Sequence, residues 1–196
     1  MANTDQCRNT KELNPLCEIL LNKALEEIKA EGINPLVVET YRSQARQNYL
    51  YSQGRTIPGT KVTWTQSSIH TKRNAVDVVP QRIIDGRMTA IWNANDKETK
   101  KIISIMTKYG FEAGANWSSS PDSPHFQIKG VSDTSKSYSF DNTNTYITKM
   151  IQRLLGITVD GKWGNGTTKA VNQFRGKFGW KKDGKVGVAT LKKLFK

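Results

Sequence analysis

The run Ala75-Val76-Asp77-Val78-Val79 places an acid between β-branched neighbours. Such neighbours favour a strand. A carboxylate among them is costly to bury unless it is paired or bound to a cation. The fold must therefore bring a compensating group to Asp77. The chain of 196 residues has only two histidines, and each lies in a segment suited to that task. His70 stands in Ser68-Ile69-His70-Thr71-Lys72-Arg73-Asn74-Ala75-Val76-Asp77, and His125 in Pro121-Asp122-Ser123-Pro124-His125-Phe126. The alternation His125-Phe126-Gln127-Ile128 predicts a second strand, with His125 and Phe126 on opposite sides.

Two imidazoles and one carboxylate make three metal ligands, and a fourth tetrahedral position is left for water. That is the layout of a catalytic zinc, whereas structural zinc sites are usually closed by four ligands, often cysteines. The spacing from His70 to Asp77 does not certify a site in the way that H-E-x-x-H does. A lone histidine more often serves as a hydrogen-bonded residue. The chemistry nevertheless fits amide hydrolysis with Zn2+ held by His70, Asp77 and His125. Asp122 would be the general base and then the acid for the leaving amine. Arg42, permanently charged, would face the developing negative charge. Ser68 is read equally as a neighbour of the first ligand or as a turn serine. Trp117 is read as pocket lining or core, and Tyr41 and Gln47 as packing and helix surface.

The pattern S-x-H-x6-D followed by D-x-x-H-F resembles the zinc peptidases of the D-alanyl-D-alanine carboxypeptidase family. It is most similar to the branch of L-alanyl-D-glutamate endopeptidases found in phage endolysins and autolysins. Glu39-Thr40-Tyr41-Arg42-Ser43-Gln44, with Gln47, Leu50, Tyr51, Gly54, Arg55 and Thr56, resembles that family's arginine motif. Gly110-Phe111-Glu112 and Trp117 supply a fourth motif in the same order. The resemblance implies the same roles for His70, Asp77, His125, Asp122 and Arg42. It also implies an α+β fold of the DD-peptidase/Hedgehog type. Two departures stand out: Arg73 occupies a position where the family usually has glycine, and the Trp-Gly-Gly-x-Trp stretch survives only as Ala113-Gly114-Ala115-Asn116-Trp117.

The rest of the chain organises around this unit. Leu16, Leu20, Ala24 and Ile28 form a helical stripe ended by Gly32. Residues 36–40 predict a strand, 43–53 a helix, 75–79 and 82–84 strands before an Asp85-Gly86 turn, and 96–109 a helix stopped by Gly110. Residues 131–144 are small and polar and predict a linker between a catalytic domain at 1–130 and a second domain at 145–196. In that second domain Asp160-Gly161-Lys162-Trp163-Gly164-Asn165-Gly166-Thr167 repeats as Asp183-Gly184-Lys185-Val186-Gly187-Val188-Ala189-Thr190. Each copy reads as a turn before a helix, whose hydroxyl or carboxylate can satisfy free N–H groups at the helix end. The spacing of Ile151, Gln152, Leu155, Gly156, Val171, Phe174 and Leu194 around these turns resembles a three-helix peptidoglycan-binding domain.

Charge divides the chain unevenly. Residues 141–196 carry 12 Lys+Arg against 3 Asp, a net +9 of the whole chain's +13. Such a tail suits a polyanion, with nucleic acid, anionic lipid and cell wall as candidates. No finger spacing or RNA-binding motif supports nucleic acid, and Trp163, Phe174, Phe178 and Trp180 fit a small core as well as a stacking surface. No apolar run approaches the roughly 20 residues of a membrane span. The polar start Met-Ala-Asn-Thr-Asp-Gln lacks a secretory signal, so a cytoplasmic start with later, holin-dependent release to the wall is expected. Cys7 and Cys17 are expected as reduced thiols. The expectation is a monomeric endolysin-type zinc endopeptidase that cuts the L-alanyl-D-glutamate bond of peptidoglycan, with no nucleic-acid or membrane partner. The alternatives are D-alanyl-D-alanine cleavage on the same centre and a non-catalytic wall- or nucleic-acid-binding protein.

Overall fold

The computed structural model describes residues 4–134, 137–140 and 144–196. Helix α1 (Pro15–Ala30) opens with Asn14 accepting from the Leu16 N–H and with Pro15 in the first turn, where its missing N–H costs nothing. Its stripe of Leu16, Leu20, Leu21, Ala24 and Ile28 is buried. Helix α2 (Gln44–Ser52) is capped by Ser43, and α3 (Lys97–Lys108) by Asp96, whose carboxylate accepts from two backbone N–H groups.

An antiparallel sheet lies beside these helices. Its strands are β1 (Pro35–Glu39), β2 (Ala75–Ile84), β3 (Arg87–Ala90), β4 (Glu112–Ala113) and β5 (His125–Gln127), in the order β1-β2-β5-β4, with β3 paired to β2. Strand β2 runs through Pro80, where two separate strands are expected from the sequence. Its pairing with β5 ends at Asp77, so Pro80 sits where one flank has lost its partner and the missing N–H costs no ladder bond. Asp85 and Gly86 both take positive φ, which gives the tight turn into β3.

Beyond the sheet comes a two-stranded hairpin, β6 (Val131–Thr134) and β7 (Ser137–Phe140), within the span expected to link two domains. Helices α4 (Thr145–Leu154), α5 (Asn165–Gly176) and α6 (Val188–Leu194) follow. One apolar cluster includes Leu20, Phe111 and Phe126 together with Phe140, Ile147, Ile151 and Leu191. Helix α1 packs on β7 and α6, and α3 on α4. Where α3 ends, a Cβ on Gly110 would come within 2.6 Å of Ile147. Burying such side chains contributes about 1.5–3 kcal/mol each, so the helical tail and the sheet stabilise one another.

The repeated turns are built alike, but not by helix caps. Asp160 and Asp183 accept from Lys162 and Lys185 N–H two residues on. Gln152 and Asn172 reach across to the Gly161 and Gly184 N–H groups. Helices α5 and α6 start from Gly164 and Gly187 without a side-chain cap. Thr167 and Thr190 instead accept from the Gln152 amide and the Arg175 guanidinium. Cys7 and Cys17 are free thiols. Cys17 is fully buried, and burial pushes its thiol pKa well up, away from reactivity.

Arg73 takes φ +61°, ψ 22° at the end of the 3-10 turn Ile69–Lys72. The backbone there demands the left-handed conformation that favours glycine. Arg73 offsets the strain by pairing with Glu12 and by stacking its guanidinium 3.9 Å from the Tyr41 ring centre. Arg73→Ala keeps the strain and loses both contacts, whereas Arg73→Gly loses the contacts and relieves the strain. In urea unfolding the alanine variant is expected to be less stable than the glycine variant by about 1 kcal/mol.

Candidate metal centre

Register brings the site together. In the antiparallel ladder Glu39 opposes Asp77, and Asp77 opposes His125, so one row across β1, β2 and β5 carries all three on one face. A bulge between Val37 and Glu39 shifts the β1 register to make that row. His70 arrives from the 3-10 turn just before β2. Ser68 caps this turn, accepting from the His70 N–H at 3.3 Å, which gives the serine its role.

His70 Nε2, Asp77 Oδ1 and His125 Nδ1 form a near-equilateral triangle. The sides are 3.2 Å from His70 to Asp77, 3.2 Å from His70 to His125 and 3.3 Å from His125 to Asp77. A tetrahedral ion with arms of about 2.0–2.1 Å has corners about 3.3–3.4 Å apart. The donor set therefore fits such an ion. The far ring nitrogens are engaged in the way this needs. His70 Nδ1 donates to the Thr40 carbonyl at 2.6 Å, and His125 Nε2 donates to Gln127 Oε1 at 3.2 Å. Each bond leaves the near nitrogen with its lone pair turned inward. Thr40 is itself held by the Cys7 and Asn9 carbonyls.

Arg42 stands on the other side of Asp77, 3.6 Å from Oδ2. Its remaining donors go to Glu39 and to Gln47 Oε1 at 2.8 Å. Gln47 is completely buried and also donates to Thr63 and Thr65. It belongs to the arginine's network, which corrects its reading as helix surface. Glu39 is buried too, and Arg46 as well as Arg42 neutralises it. Glu39 ends a strand of Leu36, Val37 and Val38, so the argument used for Asp77 could have found it.

Burial alone would raise the Asp77 carboxyl pKa, but the charges and hydrogen bonds of His70 and His125 carry it well below the usual range. Burial alone would lower the His125 imidazole, yet the Asp77 hydrogen bond and charge outweigh it and raise the pKa. Asp122 lies at the lip of the cleft. Desolvation and the nearby Asp77 charge raise its carboxyl, against the opposing pull of His125, His70 and Arg42. The cleft holds about 850 Å³ and is lined by the triangle, Arg42, Asp122 and Trp117. The Trp117 ring lies 5.2 Å from that of His125, and its indole donates to Glu112.

Residues 61–128 match the D-alanyl-D-alanine carboxypeptidase family, and residues 147–194 match a peptidoglycan binding domain family. The chain is 34% identical over 107 residues to the peptidoglycan L-alanyl-D-glutamate endopeptidase CwlK of Bacillus subtilis (strain 168), covering 50% of this chain and 62% of the relative. It is 28% identical over 149 residues to the L-alanyl-D-glutamate peptidase of Listeria phage A118, covering 70% of this chain and 49% of the relative. The chain thus spans about half to three fifths of the length of these relatives. The crystal structure of the Serratia marcescens L-Ala D-Glu endopeptidase ChiX aligns at 24% identity and a TM-score of 0.48, over 64% of this chain and 89% of that one.

The glycine retained from the family's shortened aromatic stretch has a definite task. A Cβ on Gly114 would lie 2.5 Å from the Asp122 carbonyl oxygen and 3.2 Å from the Cβ atoms of Asp122 and His125. Asp122 N–H also bonds back to the Gly114 carbonyl. Gly114→Ala is expected to push the Asp122–His125 segment outward and destabilise the fold by about 1–3 kcal/mol. Urea midpoints check this. Ala115→Gly, made in parallel, is expected to leave the segment in place.

Proposed function

We propose that this protein is an endolysin-type, zinc-dependent endopeptidase that cuts the L-alanyl-D-glutamate bond of peptidoglycan stem peptides. The observation that supports it best is the His70, Asp77, His125 triangle with Asp122 at its rim. That arrangement suits hydrolysis, whereas a purely structural ion needs neither an open cleft nor a spare acid. The relatives' named activities and the peptidoglycan-binding family of residues 147–194 support the substrate.

His70, Asp77 and His125 would hold zinc, which would supply Lewis acidity and bring the pKa of a bound water towards about 7. The chain's own residues do the rest. Asp122, ionised, takes a proton from the attacking water as the oxygen approaches the amide carbon. It then returns that proton to the departing amine nitrogen as the C–N bond breaks. It lines the same cleft as the three ligands. Arg42 directs its charge into the same space past Asp77 Oδ2, orienting that carboxylate and stabilising negative charge on the reacting carbonyl oxygen. The +9 tail adds attraction to the anionic wall, screened over about 8 Å at physiological ionic strength. No described helix is long and apolar enough to cross a membrane, and we propose that the enzyme reaches the wall from the host cytoplasm through holin-dependent release and works as a monomer.

Digestion of purified walls followed by identification of new amino termini tests the bond. New D-glutamate termini support the reading, whereas release of D-alanine alone would place cleavage at D-alanyl-D-alanine. Chelation is expected to abolish turnover and added zinc to restore it. His70→Ala, Asp77→Ala and His125→Ala should each lose metal and activity together. Because the His125 pKa is raised, protons compete for its ring from above the ordinary histidine range, so zinc affinity should fall as pH drops through that range.

Asp122→Asn should keep zinc and lose about 10²–10⁴-fold in rate. A base acts only when deprotonated, so the parent's rate should rise with pH through an Asp122 pKa above the usual carboxylate value. That limb should vanish in Asp122→Asn. A variant that lost zinc instead would show that ligand and base had been exchanged.

A further inference from the structure

His125 can turn a lone pair into the triangle from Nδ1 only while its proton sits on Nε2. The group facing Nε2 is the Gln127 side chain, two residues along β5 on the same face, with Oε1 at 3.2 Å. An amide has one accepting end and one donating end, and by itself it does not decide which end meets His125. With the NH2 end there, Nε2 would have to accept, the proton would move to Nδ1, and that nitrogen could not bind a metal.

The decision comes from the neighbouring strand. Gln127 opposes Glu112 of β4, and Gln127 Nε2 lies 3.1 Å from Glu112 Oε2. An ionised carboxylate accepts and cannot donate. Trp117 Nε1 donates to Glu112 Oε1 at 2.9 Å, and the Lys129 ammonium lies 2.9 Å from Oε2. Burial opposes the charge, but Lys129, Gln127 and Trp117 hold the Glu112 carboxyl below its ordinary range. Trp117 and Lys129 both donate to Glu112, so the Gln127 side chain must turn its NH2 to the carboxylate as well.

We infer that Glu112 is a positioning residue for the metal centre: by accepting from Gln127 it fixes that amide with Oε1 towards His125, and so fixes the proton on Nε2 and the lone pair on Nδ1. This rests on His70, Asp77 and His125 being the metal ligands and adds the group that selects the ligating nitrogen. The relay runs from the Lys129 and Trp117 donors to Glu112, across the strand pair to Gln127, and then two residues along β5 to His125.

The test uses the full chain with two readouts. Long-range 15N–1H spectra report which ring nitrogen carries the proton, and chelator competition gives zinc affinity. Gln127→Met removes the acceptor at similar volume. It should let the His125 proton populate both nitrogens and weaken zinc binding about 10–100-fold. The double variant Glu112→Gln with Gln127→Glu reverses the relay. A carboxylate at 127 accepts from His125, and the amide at 112 donates to it while its oxygen still serves Trp117. This swap should restore the Nε2 proton and near-parental zinc affinity. A Gln127→Met protein with parental affinity and an unchanged tautomer overturns the inference. So does a swap that binds zinc no better than Gln127→Met, which would mean packing and not acceptance. If Gln127→Met does not fold, the swap alone decides. His125→Ala separates the two claims: zinc retained there sinks the ligand assignment itself, whereas zinc lost there but kept in Gln127→Met sinks only the relay.

Discussion

The pairing of Asp77 with His125 across two antiparallel strands is the constraint on which the rest depends. A slip of one residue between them would leave Asp77 and His125 on opposite faces of the sheet, so that they could no longer both meet His70. The neighbouring features follow from defending that register. The bulge in β1 brings Glu39 into the row. The 3-10 turn delivers His70 with its backbone carbonyl bonded to the Arg42 N–H. Gly114 lets the Asp122 carbonyl approach closely enough to hold the start of β5.

A buried acid needs compensation on every side, and this site supplies it in two halves. Arg42 and Arg46 share Glu39, and Arg42 also leans on Asp77. On the far side, Glu112 gathers Lys129, Trp117 and Gln127. The donors of one half and the acceptors of the other meet at the triangle, whose three inward atoms can each turn a lone pair towards a shared cation. Lone pairs about 3.2 Å apart repel unless a cation or proton lies between them. The arrangement makes physical sense as a cation site.

Much of this was legible in the sequence, for local reasons. Asp77 stood out because an acid interrupts a β-branched run, and His125 because it alternates with Phe126. Arg73 stood out as an arginine at a glycine position, and its left-handed backbone explains why glycine is the usual occupant. Glu112 and Gln127 were not legible as partners. Strand β4 is two residues long and has no period to read, and their contact depends on register between segments 15 positions apart. Gln47 was misread because its helix is largely polar and gives no sign of which face is covered. The repeats read as turns before helices, and their threonine hydroxyls turn out to face other partners than the helix ends. The spacing fits a cap, but glycine occupies the cap position, and both hydroxyls are claimed by Gln152 and Arg175.

Because Leu20, Phe126, Ile147 and Leu191 belong to one interior, the helical tail is not a bead on a string. A head on a flexible tether sweeps a sphere of neighbouring bonds at high local concentration. A head fused to its grip reaches only bonds that lie at one offset from the gripped strand. On the proposed reading, this protein works as a ruler. Its yield of cuts per landing would depend on the mesh of the wall: a lattice whose spacing matches the offset would be opened readily, and one with a different cross-link geometry would hold the enzyme without offering it a bond.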